Sequence, residues 1–127
     1  MGYRILIADD SLYARVNLKT ILTEAGHEVV GEAGDGADAV GKYRSLSPDL
    51  VTMDITMPKL SGVEALEQIV GLDADAKIIM ITAIGKPEKV LECLDMGAKH
   101  FITKPFDKAK VLAAIEHVME GREPSES

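Results

Sequence analysis

Leu50-Val51-Thr52-Met53-Asp54-Ile55-Thr56-Met57-Pro58 is the stretch that decides the fold. Its first four residues form a short apolar run, and an aspartate follows directly. A strand with one wet face alternates apolar and polar residues, whereas a strand covered on both faces reads as a continuous apolar run. The stretch therefore predicts a strand held between two layers, with Asp54 at its carboxyl end.

Similar short runs recur on both sides: Ile5-Leu6-Ile7-Ala8, Val29-Val30, Ile78-Ile79-Met80-Ile81 and Phe101-Ile102. Between them, apolar residues fall at helix spacing: Leu18, Ile21, Leu22 and Ala25; Ala39, Tyr43 and Leu46; Val63, Leu66 and Val70; Val90, Leu91 and Leu94; Val111, Ile115 and Val118. Gly26, Gly71, Gly97 and Gly121 stand where a left-handed residue closes a helix. Ser61 with Glu64 reads as a capping box for the third helix, and Asp107 as the N-cap of the last. Gly85 and Pro87 crowd the start of the fourth helix, which is expected to be the most mobile element. The order is strand-helix five times over. Two-sided covering and right-handed crossovers reduce it to an α/β fold, a five-stranded doubly wound parallel sheet.

The chain has 127 residues, about one domain. Residues 1–121 are expected to form it, with 122–127 as a short polar tail. The formal charge of -7 opposes sequence-independent attraction to nucleic acid or to an anionic membrane. No apolar run approaches the roughly 18 residues of a membrane span, and no signal peptide is evident. The one cysteine, Cys93, excludes an internal disulfide and reads as a small buried hydrophobe. A cytoplasmic location is expected.

In doubly wound sheets, ligands bind beyond the carboxyl ends of the strands, where the winding reverses. Asp9 and Asp10 follow the first strand, Asp54 the third, Thr82 ends the fourth and Lys104 the fifth. In the flavodoxin-like order 2-1-3-4-5 those four strands are neighbours, so three carboxylates, a hydroxyl and an ammonium meet at one edge. Close carboxylates repel one another, and a hard divalent cation relieves them. Asp10 and Asp54 read as direct ligands of magnesium, with manganese as a substitute. The backbone carbonyl of Thr56 is a third candidate, and Asp9 one that acts through water. Cation, Lys104 and Thr82 would clamp a phosphoryl group while Asp54 accepts it as an acyl phosphate. Taken singly, an Asp-Asp pair is ordinarily a solvated turn, a strand-end Thr ordinary β structure and a Lys-Pro a turn. Their joint placement is what carries weight.

The stretches Ile5 through Ser11, Asp49 through Pro58 with Gly62, Ile81-Thr82-Ala83 and Gly97 through Phe106 resemble the response-regulator receiver family across nearly the whole chain. The resemblance implies that Asp9 and Asp10 bind magnesium and that a sensor histidine kinase phosphorylates Asp54. It also implies that Thr82 and Lys104 contact the phosphoryl group, that Ala83 leaves it room and that the bond to Pro105 is cis. Phe101 takes the place of the aromatic that turns inward on activation, together with the Thr82 switch. Thr56 and Ile84 stand where amides or acids often position an attacking water, so slow self-hydrolysis is expected. Lys86, Lys89, Lys99, Lys108 and Lys110 cluster around helix 4, strand 5 and helix 5, a face where the family often meets its protein output target.

A monomer acting alone in chemotaxis is the first expectation, since the chain ends about one helix after Lys104-Pro105. A receiver cut from a longer transcriptional regulator and a phosphorelay receiver are alternatives. A magnesium-dependent phosphatase with an aspartyl nucleophile is the alternative of another class. Such enzymes usually carry a second acid two residues after the nucleophile, where this chain has Thr56. Gly31, Gly34 and Gly36 lack the dinucleotide-binding spacing.

Overall fold

The apolar runs form five parallel strands in the order β2-β1-β3-β4-β5, and a helix follows each strand in sequence. The computed structural model describes residues 2–83 and 87–121. The strands are β1 (Arg4–Ala8), β2 (Glu28–Ala33), β3 (Leu50–Asp54), β4 (Ile78–Ala83) and β5 (His100–Lys104). The helices are α1 (Leu12–Glu24), α2 (Gly36–Leu46), α3 (Gly62–Leu72), α4 (Pro87–Met96) and α5 (Lys108–Glu120). This is the doubly wound, flavodoxin-like arrangement expected from the sequence.

Two cores explain why the strands show no polar alternation. Leu6, Val51, Met53, Ile78 and Met80 join residues of α2, α3 and α4 in one cluster. Ile5, Ile7, Leu50, Ile79 and Ile81 join residues of α1 and α5 in the other. Successive side chains point to opposite faces, and both faces are dry. Each fully buried Leu or Ile contributes about 1.5–3 kcal/mol relative to exposure. The two edge strands are less covered: β2 is mostly half-buried and begins on the exposed Glu28, which makes it longer than its two valines suggest.

Helix starts are capped by side chains. The Ser11 hydroxyl accepts the Ala14 N–H at 3.2 Å, Asp35 the Asp38 N–H at 2.8 Å and Asp107 the Lys110 N–H at 2.8 Å. Ser61 and Glu64 form the full reciprocal capping box.

Three sequence expectations need correction or limits. Gly26, Gly97 and Gly121 do adopt positive φ, but Gly71 does not. It lies inside α3, which ends on an extended Asp73. Nothing crowds Gly71, so its cost is the modest one of glycine within a helix. The left-handed close of α2 falls on Ser47 at φ 47°. On α4, Val90 and Cys93 are buried and Leu94 packs partly on the core, while Leu91 faces out at 63% exposure. Spacing of three and four, without the intervening residue, sets the buried stripe. Ile84, Gly85, Lys86 and the 122–127 tail lie outside the described residues.

Candidate functional site

β1 lies between β2 and β3, so the chain winds one way to β2 and then crosses back over β1. The crevice of such a sheet opens at the carboxyl ends of β1 and β3. Asp9 and Asp10 emerge from the first of these, and Asp54 is the last residue of the second. Ligand oxygens of these three carboxylates all lie within 4.8 Å of one another. Asp9 and Asp54 are buried and Asp10 is exposed.

From β5, the Lys104 ammonium reaches between two of them. It donates to Asp9 Oδ2 and to Asp54 Oδ2, both at 3.1 Å. One ammonium against three carboxylates leaves two negative charges uncompensated. At this spacing each like pair repels by about 3–4 kcal/mol at an effective dielectric constant of about 20. Burial pushes the Asp54 carboxyl above the usual carboxylate range; Lys104 pulls it back and the charge of Asp9 adds to the rise. Burial works against the Lys104 charge, but Asp54 and Asp9 outweigh it and hold its pKa above the ordinary lysine value. The donor set is all oxygen, which suits a hard divalent cation better than a soft one.

A cleft of about 280 Å³ is lined by Asp10, Asp54, Ile55, Thr56, Thr82, Ala83 and Lys104. Thr82 is the penultimate residue of β4, buried, and its hydroxyl donates to the Ala83 carbonyl at 3.2 Å. Ala83 is exposed at the mouth. The Thr56 N–H makes a long 3.4 Å contact with Asp54 Oδ1. The Lys104–Pro105 peptide is cis. Phe101 is 37% exposed and pairs with Met80 across the β4–β5 ladder, away from the cleft lining. The fold thus brings Asp9, Asp10, Asp54, Thr56, Thr82, Ala83 and Lys104 together and leaves Phe101 outside. The basic residues Lys89, Lys99, Lys108 and Lys110 are exposed, as is Leu91.

One contact was not legible in the residue pattern. Arg15, on α1, donates to the backbone carbonyl of Asp9 at 2.6 Å and to Glu32 of β2 at 3.1 Å. Its partners lie 6 and 17 residues away, so no helical spacing reveals them.

Fold and site together define a class: open parallel sheets that keep an acidic, lysine-bridged crevice at the winding reversal. The chain belongs to the response regulator receiver domain family, whose profile matches residues 5–116. It is 49% identical to the chemotaxis protein CheY of Thermotoga maritima over 93% of this chain and 98% of that one. It is 50% identical to CheY of Bacillus subtilis over 94% of this chain and 99% of that one. Among solved structures, the CheX–CheY–BeF3–Mg2+ complex from Borrelia burgdorferi superposes with a TM-score of 0.88 at 44% identity, covering 91% and 88% of the two chains. Among the described residues, no helix is long and apolar enough to cross a membrane.

Proposed function

We propose that the chain is a chemotaxis receiver that accepts a phosphoryl group on Asp54 from a sensor histidine kinase and passes the signal to a protein target. The observation that carries this reading is the convergence of three carboxylates on one lysine-bridged crevice. Asp54 is the nucleophile: its carboxylate oxygen forms a bond to phosphorus as the phosphorus–nitrogen bond of the donor histidine breaks. The products are an acyl phosphate here and a free imidazole there. Asp9, Asp10, Asp54 and the Thr56 carbonyl would hold Mg2+, or Mn2+ in its place, which neutralises the carboxylates and the phosphoryl oxygens. Lys104 would leave Asp9 and pair with the new phosphoryl oxygens, and Thr82 would donate its hydroxyl to them. Ala83, at the mouth, leaves room for the incoming group.

Phosphorylation replaces one charge by about 1.5–2. Lys104 and Thr82 are drawn toward it, and β4 carries that pull to its ladder neighbour β5 and to Phe101. The exposed Leu91, Phe101, Lys89, Lys108 and Lys110 on α4, β5 and α5, with Lys99 in the α4–β5 connection, form the surface offered to the target. A relative supports this reading: the Borrelia CheY was solved in a complex with CheX, BeF3 and Mg2+. The receiver unit spans residues 1–121 in this reading, and the modification is stoichiometric.

Intact-mass measurement after incubation with a small phosphodonor and Mg2+ tests the proposal. One phosphoryl adduct is expected on the wild type and none on Asp54→Ala. An adduct that persists in Asp54→Ala overturns it.

A further inference from the structure

The acid pair is anchored from behind. Asp9 donates its backbone N–H to Ala33 of β2 at 2.9 Å, and its carboxylate accepts the Ser11 N–H at 2.9 Å. Its carbonyl oxygen takes the Arg15 guanidinium at 2.6 Å. That oxygen belongs to the rigid peptide plane joining Asp9 to Asp10. Fixing the plane fixes the direction in which Asp10 leaves the sheet. Arg15 is itself held: Nε pairs with Glu32 at 3.1 Å, and the side chain is only 19% exposed.

We propose that Arg15 is a positioning residue for the acid cluster, clamping the Asp9 carbonyl so that the Asp9 and Asp10 carboxylates converge on a divalent cation. The inference rests on the magnesium-dependent reading of the site given above. Charge alone makes the opposite demand. A guanidinium beside a cation site repels the cation, and removing it would tighten binding. Glu32 answers that cost by pairing with Arg15, and it also lies 3.6 Å from Lys19. The sign of the change on losing Arg15 therefore separates orientation from charge.

The test is a calorimetric Mg2+ titration of the full chain as wild type, Arg15→Met and Arg15→Lys, with urea unfolding in cation-free buffer to compare stability. Outer hydrogen-bond partners of metal ligands typically contribute about tenfold or more to affinity. Arg15→Met is expected to weaken Mg2+ binding about tenfold. It should raise the Mg2+ needed for half-maximal phosphorylation by the same factor, while the rate at saturating Mg2+ is kept. Arg15→Lys, which keeps one donor and the charge, should recover part of the loss. Unchanged or tighter Mg2+ binding by a folded Arg15→Met overturns the inference and leaves the site reading intact. A wild type that binds no Mg2+ overturns both. If Arg15→Met does not fold, Arg15→Ala takes its place, and unchanged or tighter Mg2+ binding by that variant overturns the inference.

Discussion

The two ends of the sheet are built on opposite principles. At the amino end, donors and acceptors are matched. The Arg4 N–H donates to Asp49 at 2.8 Å, and its guanidinium caps the last carbonyls of α2, Ser47 at 2.8 Å and Leu46 at 2.9 Å. Tyr3 donates its N–H to His27 Nδ1 at 3.0 Å and its hydroxyl to Glu120 at 2.9 Å, and its ring stacks on the His27 imidazole. At the carboxyl end, three carboxylates converge, one ammonium pairs with two of them, and a cleft lies open beside them. The first end contributes stability, and the second holds unrelieved charge that a ligand can relieve. Local rules are commonly broken where function sits.

The sharpest way to break this contrast is to remove one cation from each end. Lys104→Met should slow phosphoryl transfer from a small donor about a hundredfold, the usual effect of losing one donor to developing charge. Arg4→Met should leave that rate unchanged and lower stability by about 1 kcal/mol, since its hydrogen bonds are partly exposed. Rates by mass spectrometry and stabilities by urea unfolding measure both. Equal losses of rate in the two variants would remove the functional distinction between the ends.

A smaller effect comes from adding one methyl group at each end. A Cβ on Gly62 would collide with the backbone carbonyl of Asp54, and one on Gly2 with that of Gly26. The Gly62 N–H also donates to the Ile55 carbonyl at 2.8 Å, so α3 begins pressed against the strand that carries Asp54. Gly62→Ala should cost about 1–3 kcal/mol by overpacking and should depress labelling of Asp54. Gly2→Ala sits where the chain end absorbs displacement, so it should cost less and leave labelling intact. Urea midpoints and adduct yields read the two effects separately.

Much of this division was legible in the residues because it depends on strand order and strand ends. Continuous apolar runs fixed two-sided burial, and acids placed directly after runs fixed the crevice. What stayed hidden depends on tertiary approach. Gly71 and Gly97 look alike in sequence, yet only Gly97 adopts positive φ. Leu91 matches the apolar character of its neighbours, yet it lies on the outer side of α4. Arg15 sits within α1, and its partners are Asp9, just after β1, and Glu32 of β2. The Arg4 clamp on α2 was hidden for the same reason, with partners more than 40 residues away.

The smallest predicted difference is in how the two ends answer pH, and there the signs oppose. Burial lowers the pKa of His27, with Glu120 pulling partly the other way, and its Nδ1 must stay unprotonated to accept the Tyr3 N–H. A depressed folded pKa means that the unfolded chain binds the proton first. His27 therefore contributes stability above its unfolded value of about 6.5, and that stability fades as pH falls through this value toward the folded pKa. Asp54 behaves in the opposite way without cation. Its folded pKa is raised by burial, so protonation favours the fold, and that gain is lost as pH rises through the folded pKa. Urea midpoints measured in cation-free buffer across the acid range should therefore fall less steeply below about pH 6.5 in His27→Gln than in the wild type. Asp54→Asn should lose the recovery that the wild type shows at lower pH. Added Mg2+ should change the Asp54 limb and leave the His27 limb in place, because the carboxylate cluster found among the described residues lies at the carboxyl end. An equal response of both limbs to Mg2+ would mean that the two ends are coupled through the sheet.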